Sequence, residues 1–201
     1  MRLERIKRSF FSDHPSNVAP KLLGYYLVRE INHQLIIGKI VETEAYADKD
    51  DDACHATRFG KTKRTYPLFG KVGFSYVYSV YINSYCLNVV AHEPGRAGAV
   101  LIRALEPIER VEFILKRLNK SGDFDRRKLL NGPAKLCKAL SIDKSLNQED
   151  MVEGNKLFIV KGEKISKDKI STTKRINIPY AKKAGNWLWR FIIKDSEYLS
   201  R

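Results

Sequence analysis

Short apolar segments bounded by turn residues recur along the first half of this chain, and this pattern predicts β-hairpins. A first hairpin is predicted between residues 25–29 and 34–41, with its turn about Asn32 and His33. A short helix over residues 16–23, closed by the glycine that follows, is predicted to precede it.

A second hairpin follows, and it bears on function. Residues 74–81 alternate as a strand, residues 82–84 supply turn chemistry, and residues 85–91 return. Because side chains alternate between the two faces of a strand, Tyr78 and Tyr81 are expected on opposite faces. Tyr81 is expected at or near the exposed tip of this hairpin.

The second half of the chain mixes strands and helices. Residues 99–105 are predicted to form a buried strand, and Pro107 is placed at the start of a helix because apolar residues follow it at helical spacing. These apolar residues are Ile108, Val111, Leu115 and Leu118. Another helix is predicted after Gly132 and Pro133.

Two late strands, over residues 157–160 and 189–193, are predicted on either side of a lysine-rich surface loop. The chain has neither repeats nor low-complexity linkers. Its 201 residues, 43% of them hydrophobic, suffice for one core. We therefore expect a mixed α/β fold in a single domain over residues 1–201.

The apolar strand of the first hairpin runs into two carboxylates and an aromatic ring. In a strand, Glu42, Glu44 and Tyr46 share one face, while Val41 and Thr43 take the other. Glu44 is therefore a candidate general base beside a stacking surface. The alternative is a strand-end carboxylate paired with a lysine.

The formal net charge is +14, and lysines and arginines are spread along the whole chain. This distribution indicates a basic face and favours nucleic acid as the partner, because phosphate contacts supply most sequence-independent affinity. A merely basic protein is the alternative. No apolar run is long enough to span a bilayer, and the N-terminus lacks the apolar core of a signal peptide, so an intracellular protein without membrane contact is expected.

Arg103 is the one charge in a predicted buried strand, so it requires a carboxylate or phosphate partner. A purely structural salt bridge is the alternative. His55 follows an aspartate-rich loop over residues 48–52, but that loop lacks the ligand spacing of a calcium site, so no metal is predicted. Cys54, Cys86 and Cys137 form no CxxC pair and are expected to be small buried residues.

Tyrosines at 76, 78, 81 and 85 are typical of strands. A base-flipping protein, however, needs both a wedge for the gap in the base stack and an aromatic pocket for the extruded base. Tyr81 at the tip and Tyr78 on the other face fit that division.

At these residues the sequence resembles the alkyladenine (3-methyladenine) DNA glycosylases of the type found in mammals and many bacteria. The matching segments are residues 22–24, 41–46, His55, 76–78, 86–89, 101–107, 132–140, 175–176 and 187–191. The resemblance implies a compact α/β domain with a curved antiparallel sheet flanked by helices.

The resemblance also implies a role for each matching position. Glu44 matches the general base that activates water, and Arg103 matches the residue that helps to place that water. Tyr46, His55 and Tyr78 match the residues that form the pocket walls. Asn88 matches the residue that disfavours guanine, and Tyr81 matches the residue that is inserted into DNA. The family commonly has glycine after the inserting tyrosine, whereas this chain has Ile82. The resemblance therefore does not determine the shape of the hairpin tip.

The implied function is a repair enzyme that flips alkylated or deaminated purines out of duplex DNA and hydrolyses the N-glycosidic bond. It would need no metal or organic cofactor and would act as a monomer, in the cytoplasm or nucleoid of a bacterium or in the nucleus of a eukaryote. No lysine lies beside Glu44 in its motif, so a monofunctional hydrolase that leaves an abasic site is expected. The alternatives are a nucleic-acid-binding protein without catalysis and a lesion-binding relative that has lost turnover.

Overall fold

The computed structural model describes residues 3–200, and an antiparallel sheet organises them. The strands of this sheet are β1 Tyr26–Ile31, β2 Gln34–Ala47, β3 Ser75–Tyr81, β4 Ser84–Val90, β5 Gly98–Glu109, β6 Leu157–Val160, β7 Ile170–Thr173 and β8 Arg190–Ile193. The helices are α1 Pro15–Lys21, α2 His55–Phe59, α3 Val111–Arg117 and α4 Pro133–Ala139. Short 3-10 turns cover Arg8–Phe11, Tyr66–Phe69, Arg126–Lys128, Lys144–Leu146, Lys167–Lys169 and Ala184–Asn186.

The hydrogen-bonded order of the strands is β3-β4-β5-β2-β1-β6, and β8 joins β2 to β7. Within residues 3–200 all of the strand pairings are antiparallel, and the sheet formed by these residues does not close on itself. The expected mixed fold of helices around an antiparallel sheet, the α+β class, is confirmed. The main core packs α1 and α4 against the sheet, with Leu22, Leu87, Ile102 and Leu136 fully or almost fully buried.

Strand β2 is the centre of the fold because it is long enough to pair with three neighbours. Its first half pairs with β1, residues 42–44 pair with β8, and β5 follows its other edge from Ile37 to Ala47. Side chains from three strands therefore converge on one short part of β2. That part contains the predicted Glu42 and Glu44.

Both predicted hairpins are present. Asn32 and His33 adopt positive φ angles of 51° and 60° in the β1–β2 turn, as a two-residue hairpin turn requires. In the β3–β4 hairpin Asn83 has a φ of 57°, and the return strand begins at Ser84. The predicted helix before the first hairpin forms as α1, and Gly24 follows it at a φ of 86°.

Two predictions in the second half of the chain are wrong. Pro107 does not begin a helix: β5 continues through it and pairs it with Gly38, and α3 begins only at Val111. Pairing with the long β2 extends this strand where local spacing favoured a helix. The lysine-rich surface loop is also partly a strand, since β7 pairs with β8 there. The helix after Gly132 and the strand over residues 157–160 are confirmed as α4 and β6.

Candidate active site

Glu44 lies at the centre of a buried polar cluster. Its side chain is fully buried on β2, and both of its oxygens accept hydrogen bonds. Oε1 accepts from the backbone N–H of Ile176 at 2.7 Å. Oε2 accepts from the hydroxyl of Tyr46 at 2.7 Å and from Nη1 of Arg103 at 3.2 Å. The cluster thus joins the glutamate to two of the side chains that the sequence placed beside it.

Arg103 reaches the two glutamates because of a β-bulge. The β2–β5 register pairs Glu42 with Ala104 and Thr43 with Ile102, so that Arg103 is the extra residue. A bulge re-aims the side chain of its extra residue. Here Arg103 Nε donates to Glu42 at 3.0 Å while Nη1 donates to Glu44. The predicted need of this arginine for a carboxylate partner is confirmed.

Opposing effects set the basicity of Glu44. Removal from water raises the pKa of this carboxyl group because burial disfavours the charged form. Arg103, the N–H of Ile176 and the hydroxyl of Tyr46 lower the pKa, while the negative charge of Glu42 raises it again. The net direction is upward, which suits a carboxylate that must accept a proton.

Tyr46 separates Glu44 from a large cavity. Its ring stands under the guanidinium of Arg175, whose central carbon is 4.7 Å from the ring centroid. Arg175 is itself fixed by two hydrogen bonds of 2.7 Å to Asp51. Ala99 faces Tyr46 across the β2–β5 pair, so a small residue leaves room beside the ring. Burial and the nearby Glu44 raise the pKa of the Tyr46 hydroxyl well above its usual range, so it remains a proton donor.

The cavity has a volume of about 940 Å³. Six of the seven site residues predicted from the sequence line it: Tyr46, His55, Tyr78, Tyr81, Asn88 and Arg103. Glu44, the seventh, lies behind Tyr46 and Arg103 and is bonded to both. The structure therefore brings all seven positions to one place.

An aromatic group forms one part of the cavity wall. The rings of His55 and Tyr78 meet edge to face with centroids 4.7 Å apart, and Tyr76 lies 5.3 Å from Tyr78. Nδ1 of His55 also lies 3.0 Å from the hydroxyl of Tyr76. Burial, together with the positive charges of Arg64 and Arg58, lowers the pKa of His55 to about 4. His55 is therefore neutral at pH 7.

Asn88 is held on the cavity wall by its neighbouring strand. It is buried on β4, and its amide nitrogen donates to the carbonyl of Tyr76 at 3.0 Å. This bond fixes the orientation of the side chain. A rigid amide at this position can discriminate between bases by shape.

Tyr81 and Ile82 project from the tip of the β3–β4 hairpin. Their exposed fractions are 80% and 92%. The register of the hairpin shifts between Ser79 and Tyr81, so a bulge adjoins the tip. Tyr81 also reaches the rim of the cavity. The predicted position of Tyr81 is thus found, with a second apolar side chain beside it.

Basic residues surround the cavity mouth. Arg58, Arg64 and Lys135 line it, and the guanidinium carbon of Arg58 lies 3.9 Å from the ring centroid of Tyr180. These cations are well placed for phosphate oxygens of a polyanion. The aspartates of residues 48–52, by contrast, are used within the fold. Asp48 binds Arg96, Asp51 binds Arg175, and Asp52 accepts the N–H groups of residues 183 and 184.

Several residues of the site were missed in the sequence. Arg190 and Ser200 both bind Glu42, and Ile176 donates its backbone N–H to Glu44. All three come from the last 26 positions, far from the motifs around Glu44 and Arg103. The β2–β8 pairing and the bonds of Arg175 to Asp51 and to the carbonyl of Ala45 bring that segment to the site, and these are contacts between residues far apart in the chain. The three cysteines are buried and free, as expected.

Comparison with known proteins shows to which family the chain belongs. The family model for methylpurine-DNA glycosylase matches residues 9–197. The chain belongs to the methylpurine-DNA glycosylase family. A protein of Carboxydothermus hydrogenoformans named "Putative 3-methyladenine DNA glycosylase" is 48% identical over 197 residues, with 98% of each chain covered. Proteins of the same name from two Clostridium botulinum strains, Langeland and Loch Maree, are 41% identical over 201 residues, again with 98% of each chain covered.

Membership of this family confirms the resemblance seen in the motifs and makes the chain a DNA repair glycosylase, an enzyme that binds DNA. A nucleic-acid-binding protein without catalysis is not favoured. Within residues 3–200 no cluster of three or more His, Cys, Asp and Glu side chains is arranged to hold a metal ion. The same residues contain no helix with the length and hydropathy to cross a membrane.

Proposed function

We propose that this glycosylase extrudes an alkylated or deaminated purine from duplex DNA and hydrolyses its N-glycosidic bond, leaving an abasic site. Residues 1–201 would act as one domain and as a monomer, inside the cell, where the DNA is. The observation that carries the proposal is the contact of Glu44 with Tyr46 and Arg103 directly behind a cavity that has an aromatic wall.

Glu44 is proposed as the general base. A carboxylate offers about four acceptor positions, and Ile176, Tyr46 and Arg103 use three of them. One position is left for a water molecule. Cleavage of the bond builds positive charge on the sugar, so a carboxylate at this place both stabilises that charge and takes the proton of the attacking water.

The cavity wall is proposed as the slot for the extruded base. Tyr46, His55 and Tyr78 would stack on it, and a purine alkylated at N3 or N7 is cationic, which favours contact with electron-rich tyrosine rings. Asn88 would exclude guanine by crowding its exocyclic amine. Tyr81 would fill the gap left in the duplex, as its exposure at the hairpin tip allows.

A monofunctional hydrolase is proposed because the side chains that donate to Glu44 are a tyrosine and an arginine. Neither forms a Schiff base with the sugar, as a lysine amine does. The product would therefore be an intact strand with an abasic site. The chemistry described for these residues requires neither a metal nor an organic cofactor.

The test uses duplex DNA with one hypoxanthine or one alkylated adenine, and it measures alkali-labile sites under single-turnover conditions. Glu44→Gln is expected to slow base release by about 100-fold to 10,000-fold, the usual contribution of a general base, while DNA affinity is kept. Glu153→Gln, at an exposed position, is the control. Release at the wild-type rate by the Glu44 variant would remove Glu44 from the mechanism, and a wild-type protein that binds lesions without releasing them would support the lesion-binding alternative.

A further inference from the structure

Glu42 is a second fully buried carboxylate that the proposed reaction does not use. Its Oε1 accepts from Nε of Arg103 at 3.0 Å, from Nε of Arg190 at 2.7 Å and from the hydroxyl of Ser200 at 2.7 Å. Its Oε2 accepts from the backbone N–H of Ser200 at 2.6 Å. A buried carboxylate with four donors is fixed in position. The side chain of Glu42 is therefore held rigidly beside Glu44.

Ser200 also contacts Arg103, on the side of the guanidinium that carries Nε and Nη2. Its hydroxyl oxygen lies 3.4 Å from Nε and 3.3 Å from Nη2 of Arg103. Glu42 and Ser200 thus occupy the Nε and Nη2 edge of the guanidinium. The third nitrogen, Nη1, is the one that donates to Glu44.

This geometry has a consequence for Glu44. A guanidinium presents a fork of N–H groups that binds both oxygens of a carboxylate when it is free to turn. Bidentate pairing with Arg103 would neutralise Glu44 and take up the acceptor position that water activation needs. The occupied edge of Arg103 prevents that pairing.

We propose that Glu42 and Ser200 are positioning residues of this enzyme, which hold Arg103 so that a single nitrogen faces Glu44 and the general base keeps its basicity. The inference rests on the proposed function of Glu44. It assigns roles to two residues that do not contact the reacting atoms in that proposal.

The charges around Glu44 support this assignment. The ionisable groups that face it are Glu42 and Tyr46 on β2, Cys86 on β4, Arg103 on β5, Arg190 on β8, and Arg175 in the segment that precedes Ile176. Two of the arginines, Arg103 and Arg190, donate to Glu42. Without this carboxylate, Glu44 would be the remaining anionic partner of Arg103 among residues 3–200.

Glu42→Gln tests the proposal through the pH dependence of base release. Loss of the negative charge of Glu42 lowers the pKa of Glu44, so the acidic limb of the single-turnover rate is expected to move to lower pH. The plateau rate is expected to fall by about 100-fold, as small misplacements in active sites do, while lesion affinity stays within about threefold. An acidic limb at the wild-type pH, or a loss confined to DNA affinity, would show that Glu42 is merely structural.

Ser200 offers a milder test if the Glu42 variant fails to fold. Ser200→Ala keeps the backbone N–H bond to Glu42 but removes the hydroxyl from Glu42 and Arg103, and the rate is expected to fall by about tenfold, as for one hydrogen bond. Ser200→Thr restores a hydroxyl and is expected to recover most of the rate. Ser196→Ala, in the same segment, is the control.

Equal rates for wild type and Ser200→Ala would overturn the role of Ser200. Equal losses in the alanine and threonine variants would do the same, because the hydroxyl would then be irrelevant. These outcomes are distinct from failure of the proposed function. If Glu44→Gln releases bases normally, the general base itself is wrong, whereas an inactive Glu44→Gln with unaffected Glu42 and Ser200 variants removes only the positioning role.

Discussion

Removal of one hydroxyl group, in Tyr46→Phe, gives a sharp test of how Glu44 is tuned. The hydroxyl of Tyr46 donates to Oε2 of Glu44 at 2.7 Å, and this bond lowers the pKa of the carboxyl group. Phenylalanine keeps the ring that stands under Arg175 and loses only the donor. The variant should therefore change the basicity of Glu44 with little change in the shape of the cavity.

The magnitude follows from the strength of the lost bond. A hydrogen bond to a charged group contributes about 1.5–3 kcal/mol, and about 1.4 kcal/mol corresponds to one pKa unit. Loss of a donor of this strength should raise the pKa of Glu44, because the bond from Tyr46 lowers it. A general base works only when it is deprotonated, so the acidic limb of base release should move to higher pH.

The assay is single-turnover release of hypoxanthine from duplex DNA, measured across the acidic and neutral pH range for the wild type and the variant. Tyr66→Phe, which removes a hydroxyl from an exposed tyrosine outside the cavity, is the control. The shift should be opposite in direction to that of Glu42→Gln. A limb that stays in place or moves to lower pH in Tyr46→Phe would refute this account of Glu44.

Three further predictions concern the wedge, the histidine and the buried ion pair. Tyr81→Ser should slow base release by about tenfold at a well-paired lesion, because one stacked ring contributes about 1–3 kcal/mol. The loss of rate should be smaller at a mismatched lesion, and equal losses in the two rate assays would count against the wedge. His55 should titrate near pH 4 when followed by NMR. Because the unfolded chain takes up this proton near pH 6.5, the contribution of His55 to folding stability should fall as the pH falls from 6.5 to 4. An NMR titration midpoint near pH 6.5 would contradict the burial of His55. Asp51→Asn should lower the free energy of unfolding by about 3–5 kcal/mol in denaturant titrations, because Arg175 loses its buried partner, whereas Asp50→Asn, at an exposed position, should leave the midpoint unchanged.

Local sequence patterns predicted the parts of the site that depend on strand period alone. Glu42, Glu44 and Tyr46 lie on one face because alternate residues of a strand do so, and the fold adds nothing to that result. Turn residues within a few positions of Tyr81 predict its place at the hairpin tip. In such cases the residues that decide the geometry are neighbours in the chain.

The errors have the opposite origin. The helical spacing of Ile108 and Val111 predicts a helix from Pro107, yet β5 continues to Glu109 because β2 provides a pairing partner as far back as Ile37. Strand β7, which is only partly exposed, lies in the lysine-rich stretch that is expected to be a loop, and its partner β8 lies farther along the chain. A long-range pairing overrides a local preference of a few tenths of a kcal/mol per residue, on the order of the propensity scales.

The placement of Arg103 shows why local sequence patterns could not predict all of the contacts in the site. Burial in an apolar strand requires an anionic partner for this arginine, but it does not say which one. The choice is made by the bulge, which sets Arg103 between Glu42 and Glu44, and by two residues that bind Glu42: Arg190, which the β2–β8 pair places there, and Ser200. The basicity of Glu44 therefore depends on four elements that are distant in the chain, and a substitution in any of them that frees Arg103 should act on the same acidic limb of the rate.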